Sequence, residues 1–237
     1  FKKDIVYKYK CKNNKQWVSL MRKIMTKRNL KQVVYQRLKR GIINHEVLPG
    51  MRLREEELAE KLGVSRTPIR EAINRLHQEG MVTIIPRRGA YVARLTREEI
   101  IENLYVREVL EGLAARLAAE SISSASLLDL RTCITPFVGK NLITELDAYS
   151  QANIQFHRLI IASSKCKKLI NLINNLFDQM DTVRLRTISA PGRAEKSLIE
   201  HLELLDALEK GDGPKAENLI RAHIKDLRVT VMNSTIH

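Results

Sequence analysis

Long apolar runs are missing from this 237-residue chain. Stretches such as LITEL and LIIAS are broken by polar residues well short of the roughly 18 consecutive apolar residues a membrane-spanning helix needs, so no spanning helix is predicted. Cysteine is scarce as well. Cys11, Cys133 and Cys166 are odd in number and have neither CxxC spacing nor a pairing pattern, which fits free thiols in a reducing compartment and predicts a cytoplasmic location. The first 27 residues lack the apolar core of about 7 to 15 residues and the small-residue cleavage site of a signal peptide. Acidic residues are thin in one part of the chain only. Residues 1–95 carry 8 of them against 23 Lys and Arg, whereas residues 96–237 carry 19 against 18.

The net charge of +14 therefore belongs to the N-terminal part, and a basic half beside a neutral half implies that one end meets a polyanion. Nucleic acid is favoured over a membrane surface, because the basic region consists of short glycine-punctuated elements with no long basic amphipathic helix bearing an aromatic face. A hydrophobic content of 44% is what a folded chain needs for its cores, and the length suits one large or two ordinary domains.

Residues 1–27 read as a basic N-terminal arm or leader, poorly ordered, without sustained periodicity. From Asn29, apolar residues at Leu30, Val33, Val34, Leu38, Ile42 and Ile43 recur at helical spacing until VLPGMRL, where Pro49 and Gly50 make a turn. EEELAEKL is a second short helix ending at Gly63. SRTPIREAINRLHQEG gives a third, with Ser65 as N-cap, Pro68 in the first turn and Gly80 at the end. MVTIIP and AYVARL, joined by RRG, form a hairpin.

Helix, helix, turn, helix, hairpin is the order of a winged helix-turn-helix, predicted here over residues 28–95. The helix after the turn enters the major groove of double-stranded DNA with its N-terminal residues at the bases. Arg66 and Arg70 share a helix face, and an arginine fork takes guanine O6 and N7 together, while Ser65 and Thr67 reach phosphates. Arg87 and Arg88 at the hairpin tip, with Gly89 allowing close backbone approach, suit a wing in the minor groove or along the backbone. The bland alternative is a solvated face with chance arginines.

The segment LREEELAEKLGVSRTPIREAINRLHQEGMVTIIPRRGAYVARL resembles, nearly end to end, the DNA-binding domain of the GntR family of bacterial transcription regulators. The resemblance implies DNA-contacting roles for Ser65, Arg66, Thr67, Arg70 and the wing around Gly89. Some members carry a basic residue near the middle of the second helix. Here Glu55, Glu56 and Glu57 stand there, which leaves a base or phosphate contact at that place unsupported.

Residues 96–237 open on a capping box, Thr96 with Glu99, and continue in helical patterns. A first apolar stripe runs through Leu104, Leu110, Leu113, Ala114 and Leu117, and later ones through about 126–138, 141–163, 166–188, 194–210 and 214–233. The fold class is therefore mainly α: an N-terminal winged helix-turn-helix and a C-terminal all-helical bundle of about six helices, for effector binding and dimerisation. Asn153 and His157 lie one turn apart, and later helices supply His201 and His223. Imidazoles converging in a bundle build metal sites, although from spacing alone three helical histidines are more often core or interface residues.

YVREVLEGLAARLAAE, ANIQFHRLIIAS and EHLELLDALEKGD followed by AENLIRAH resemble the FCD branch of the same family over residues 98–230. That branch implies a helical bundle holding a divalent metal, zinc or nickel, through an aspartate and three histidines, which fall here on His157, His201 and His223. Asn153 occupies the aspartate position. Its amide oxygen can coordinate but brings no charge, so the expectation is weaker metal retention and a stronger pull on an anionic ligand, or a member that binds its effector without metal. The branch also places an arginine on the effector carboxylate, and Arg107 in VREVLEG fits; its alternative is a surface pair with Glu111, one turn on. Arg184 is a second candidate, with Arg186 beside it.

The expected function is a ligand-responsive transcription regulator, a repressor, binding operator DNA as a homodimer and sensing a small organic acid. One reading helix covers few base pairs, so two are needed, on half-sites of two-fold symmetry. An architectural DNA-binding protein with a purely structural bundle is the alternative. A zinc-dependent enzyme is disfavoured, since no general base or lid-like glycine loop accompanies the histidines.

Overall fold

The computed structural model describes residues 27–180 and 187–233, side chains of residues 27–29 excepted. The basic arm expected over 1–27 lies outside the described residues, apart from its last one. The chain divides into two compact units between Arg94 and Leu95.

In the first unit, helix α1 (Lys27–Ile43) buries Val34, Tyr35, Leu38 and Ile42 and packs on α3 (Arg66–Gln78), which buries Ile69, Ala72, Ile73 and Leu76. Between them, α2 (Glu55–Leu62) stops at Gly63, whose φ of 64° lets the Val64 amide reach the Ala59 carbonyl at 3.0 Å. The hairpin pairs β2 (Val82–Ile85) with β3 (Gly89–Val92), Val82 opposite Val92 and Ile85 opposite Gly89. A third strand, β1 (Arg52–Leu53), joins the other edge of β3 in the order β1-β3-β2. That segment reads as a plain turn from sequence, because a two-residue strand owes its existence to a partner some forty residues away.

A half-buried polar knot ties α1 to the end of α3. The Tyr35 hydroxyl donates to Glu79, at 2.7 and 2.8 Å from its two oxygens, and accepts from Lys39 Nζ at 2.9 Å, while the Arg75 guanidinium stacks on the Tyr35 ring at 3.7 Å. Tyr35→Phe is expected to lower the unfolding free energy by about 1–2 kcal/mol. A lower urea midpoint at unchanged slope would show it, and an unchanged midpoint would mean that water replaces the hydroxyl without loss.

The second unit holds α4 (Arg97–Ser121), α5 (Ser124–Ile134), a 3₁₀ turn at Thr135–Phe137, α6 (Leu146–Ser163), α7 (Lys167–Met180), α8 (Arg193–Glu209) and α9 (Gly213–Asn233). The capping box opens α4: Thr96 Oγ1 accepts from the Glu99 amide at 3.2 Å, and the Thr96 amide donates to Glu99 Oε2 at 2.7 Å. Helix α6 starts five residues later than the apolar pattern suggests. Asn141 diverts the chain into a turn, its Oδ1 accepting from the Ile143 amide at 3.1 Å. Helix α4 packs along α9 and also touches α6, α7 and α8. Leu104, Tyr149, Phe156, Leu204, Leu205 and Ile224 fill the core. Leu113 differs from expectation: 43% exposed, it leaves the buried stripe of α4 and joins Tyr105, Val106 and Val109 on the outer face.

Candidate functional site

Ser65 stands at the N-cap of α3 in extended conformation, and its side chain makes no capping hydrogen bond. Ser65, Arg66, Thr67 and Arg70 are all exposed on the first turns of that helix. Both arginines meet acids of α2. Arg66 Nη2 lies 2.7 Å from Glu56 Oε1, and Arg70 binds Glu55 at two points, Nη2 to Oε2 at 2.8 Å and Nε to Oε1 at 3.1 Å.

At the wing tip the Arg88 amide bonds the Ile85 carbonyl at 3.0 Å, closing a turn with Pro86 second and Arg87 third at a φ of +63°. That conformation favours glycine, so an arginine there carries backbone strain in exchange for an exposed charge. Gly89 follows at φ +109°, and a Cβ on it would lie 3.1 Å from Arg52 Nε. Arg52, which sequence reading passed over, thus adds a third cation to Arg87 and Arg88 at this end of the sheet. Arg87→Gly is expected to relieve about 1 kcal/mol of strain, partly offset by greater chain entropy. DNA affinity should fall evenly across sequences, with a salt slope smaller by about one phosphate contact. A sequence-selective loss in filter binding would exclude that role.

In the helical unit, the buried face of α4 carries Arg107 and Glu111, α6 carries Asn153 and His157, α8 carries Arg193, Glu200 and His201, and α9 carries His223. The structure brings the three histidines together, 2%, 0% and 4% exposed, with candidate ligand atoms all within 4.8 Å of one another. Two of them are oriented in the same way. His157 Nδ1 is 2.7 Å from Glu111 Oε2, whose other oxygen takes Arg107 Nε at 2.6 Å. His223 Nδ1 is 2.7 Å from Glu200 Oε2, which takes Arg193 Nη1 at 2.9 Å. Each carboxylate draws the ring proton to Nδ1 and leaves the Nε2 lone pair for the centre.

His157 Nε2 and His201 Nε2 face each other at 3.3 Å, and His201 Nδ1 is buried without a partner among the described residues. Without metal His201 Nε2–H can donate to the His157 Nε2 lone pair, and with the His201 proton on Nδ1 both lone pairs converge on one point. The separation is within the span of two nitrogens each about 2.0–2.1 Å from one shared ion, so the donor set fits a divalent metal.

Burial pushes His201 and His223 well below the ordinary histidine value, and neighbouring imidazoles and Arg193 add to the effect. Burial works against Glu111 ionising, but Arg107 and His157 outweigh it and hold its carboxyl below the usual range. His201 and His223 are therefore neutral when folded, whereas the unfolded chain protonates them near pH 6.5. Metal-free protein should be most stable above that pH and lose up to about 1.4 kcal/mol per pH unit per histidine as pH falls below it. Urea unfolding of chelator-treated protein at about pH 7.5 and 5.5 reads this directly, and equal midpoints would contradict it.

His157 and His223 border a cavity of about 40 Å³ lined also by Arg107, Asn153, Arg193 and Ser197, with His201 behind them. Asn153 Oδ1 accepts from Ser197 Oγ at 3.4 Å. Arg107 is not the surface partner of Glu111 envisaged from spacing: the pair is buried, with the guanidinium 4.3 Å from the Phe177 ring centre. Arg193, 3% exposed and with Nε lacking a partner among the described residues, is a cavity residue that sequence reading missed; Glu111 in its bridging role and Glu200, which orient the histidines, were missed too. Arg184 and Arg186 lie outside the described residues.

The family model of the FCD domain matches residues 102–226, more than half of the chain, and that of the bacterial regulatory proteins of the gntR family matches residues 30–92. The chain belongs to the GntR family. This GntR protein is 28% identical to the HTH-type transcriptional repressor RspR of Escherichia coli, over 84% of its own length and 88% of that protein's. It is 31% identical to the HTH-type transcriptional regulator YdhC of Bacillus subtilis, over 80% and 85%. In fold it is similar to Escherichia coli McbR/YncC, with a TM-score of 0.71 at 24% identity, covering 88% of this chain and 98% of that one. Like its relatives it is a DNA-binding regulator and not an enzyme.

Proposed function

We propose that this GntR regulator is a homodimeric repressor whose helical unit senses a small organic acid at a divalent metal ion, and that sensing changes its hold on operator DNA. The carrying observation is the trio of buried imidazoles, two of which, His157 and His223, open on a small cavity. Asn153, His157, His201 and His223 would hold the ion, zinc or nickel, which would supply a positive centre for a carboxylate. Nearby acids do not cancel that charge, since Glu111 is balanced by Arg107 and Glu200 by Arg193. Both cavity arginines support an anion there, Arg107 through the end of its guanidinium, since Nε holds Glu111, and Arg193 through Nε, since its other nitrogens hold Glu200 and His223.

On the DNA side, Arg66 and Arg70 read bases, Ser65 and Thr67 hold phosphates, and Arg87, Arg88 and Gly89 form the wing contact. The exposed apolar row Tyr105, Val106, Val109 and Leu113 supports a second copy, whose matching row would cover it. Coupling requires that the effector bind the DNA-competent and incompetent states unequally, so equal effector affinity with and without operator would sink it.

The test is thermal unfolding of chelator-stripped and zinc- or nickel-reloaded protein against small carboxylates. A ligand at about 100 times its Kd should stabilise by roughly 2.7 kcal/mol, a shift of several degrees. A shift seen only with metal supports the centre as the sensing site. Shifts indifferent to metal would transfer the anion to Arg107 and Arg193 alone, and none at all would favour a purely structural bundle.

A further inference from the structure

Beside the reading arginines of α3, the acids of α2 play unequal parts. Glu55 is half-buried, 31% exposed at its side chain, and grips Arg70 at two points, so it aims that arginine. Glu56 is 71% exposed and makes a single contact to Arg66, itself 61% exposed. A carboxylate so open on a face meant for a polyanion repels phosphates and loses hydration when the surfaces close.

It can recover that loss only from a donor in the groove. The major-groove edge offers two amino groups. Adenine N6 stands between two single acceptors, its own N7 and thymine O4, whereas cytosine N4 stands beside guanine O6, which with N7 makes the paired acceptor that an arginine fork takes. Arg66 Nη2 and Glu56 Oε1, 2.7 Å apart, present a donor and an acceptor side by side, the complement of that G·C edge. We infer that Glu56 is a specificity-determining residue, which accepts from a cytosine amino group next to the guanine taken by Arg66 and makes the two side chains one composite reader of a G·C pair.

This rests on α3 being the helix that enters the groove, and the experiment separates the two. Full-length protein, Glu56→Gln, Glu56→Ala and Arg70→Ala are each used to select duplexes from a randomised double-stranded DNA library. The selected duplex is then titrated with its bases changed one at a time. The wild type should require cytosine at one position in each half-site, losing about 5- to 150-fold in affinity when it is replaced. Glu56→Ala should weaken that requirement without abolishing it, since Arg66 still takes the guanine of the same pair, keep the other positions, and bind unselected DNA more tightly. Glu56→Gln should retain part of the preference. An unchanged base profile for Glu56→Ala, or a wild-type profile without such a cytosine, overturns the inference. If Arg70→Ala also leaves the profile intact, the assignment of α3 falls as well. Because Glu56 is so exposed, folding of its variants is not at risk, and circular dichroism verifies it.

Discussion

Glu111→Ala is expected to cost about 3–5 kcal/mol of unfolding free energy and to weaken metal binding about 10- to 100-fold. Two effects of different origin meet in that carboxylate, which is 2% exposed and stands between Arg107 and His157. Its removal leaves the Arg107 guanidinium, 7% exposed, as a buried charge without its counter-ion, and that loss appears whether or not metal is present. It also frees the His157 ring to turn or to change tautomer, and that loss appears only in metal affinity. Urea unfolding under chelator measures the first, and competition with a chromophoric chelator measures the second. Glu111→Gln preserves volume but has one acceptor oxygen for two donors, so it should lose less stability while still binding metal more weakly. Stability that falls with metal affinity untouched would reduce Glu111 to a packing role.

Arg70→Ala should remove about 1–3 kcal/mol of specific DNA binding and much less from binding to unrelated sequence. The loss has two sources. The base contact disappears, and Glu55, having lost both contacts to Arg70, is left facing the phosphates. A double-mutant cycle apportions them: Glu55→Ala in the Arg70→Ala background should restore general affinity but no sequence preference. Filter binding at two salt concentrations distinguishes the cases. An equal fall for all duplexes would make Arg70 a phosphate contact.

The DNA-binding unit was legible because its signals are local. Gly63, Ser65, Pro68 and Gly80 punctuate the chain where the helices begin and end, and residue type alone identifies them. Strand β1 escaped because its partner lies far along the sequence. In the helical unit, histidine spacing placed three rings on three helices and family resemblance added Asn153, Arg107 and Arg184, but the carboxylates behind the rings were not read. Whether Glu111 or Glu108 points inward depends on which side of α4 is walled by other helices, and α4 carries apolar residues nearly all round. Its outer row was therefore mistaken in part for core, as Leu113 shows. Glu200 escaped for a similar reason: beside His201 in a run of acids, nothing in its neighbours distinguishes it from the exposed Glu195 or Glu203.

One helix borders both the histidine-lined cavity and the outside. Its 25 residues make α4 a rod about 37 Å long, with Arg107 and Glu111 in its middle third. A tilt of about five degrees about one end would carry the other through about 3 Å, roughly twice the movement at Arg107 and Glu111. Such a beam needs no relay of small side-chain steps, only stiffness, and the capping box at Thr96 keeps its first turn from fraying where the chain arrives from Arg94 and Leu95.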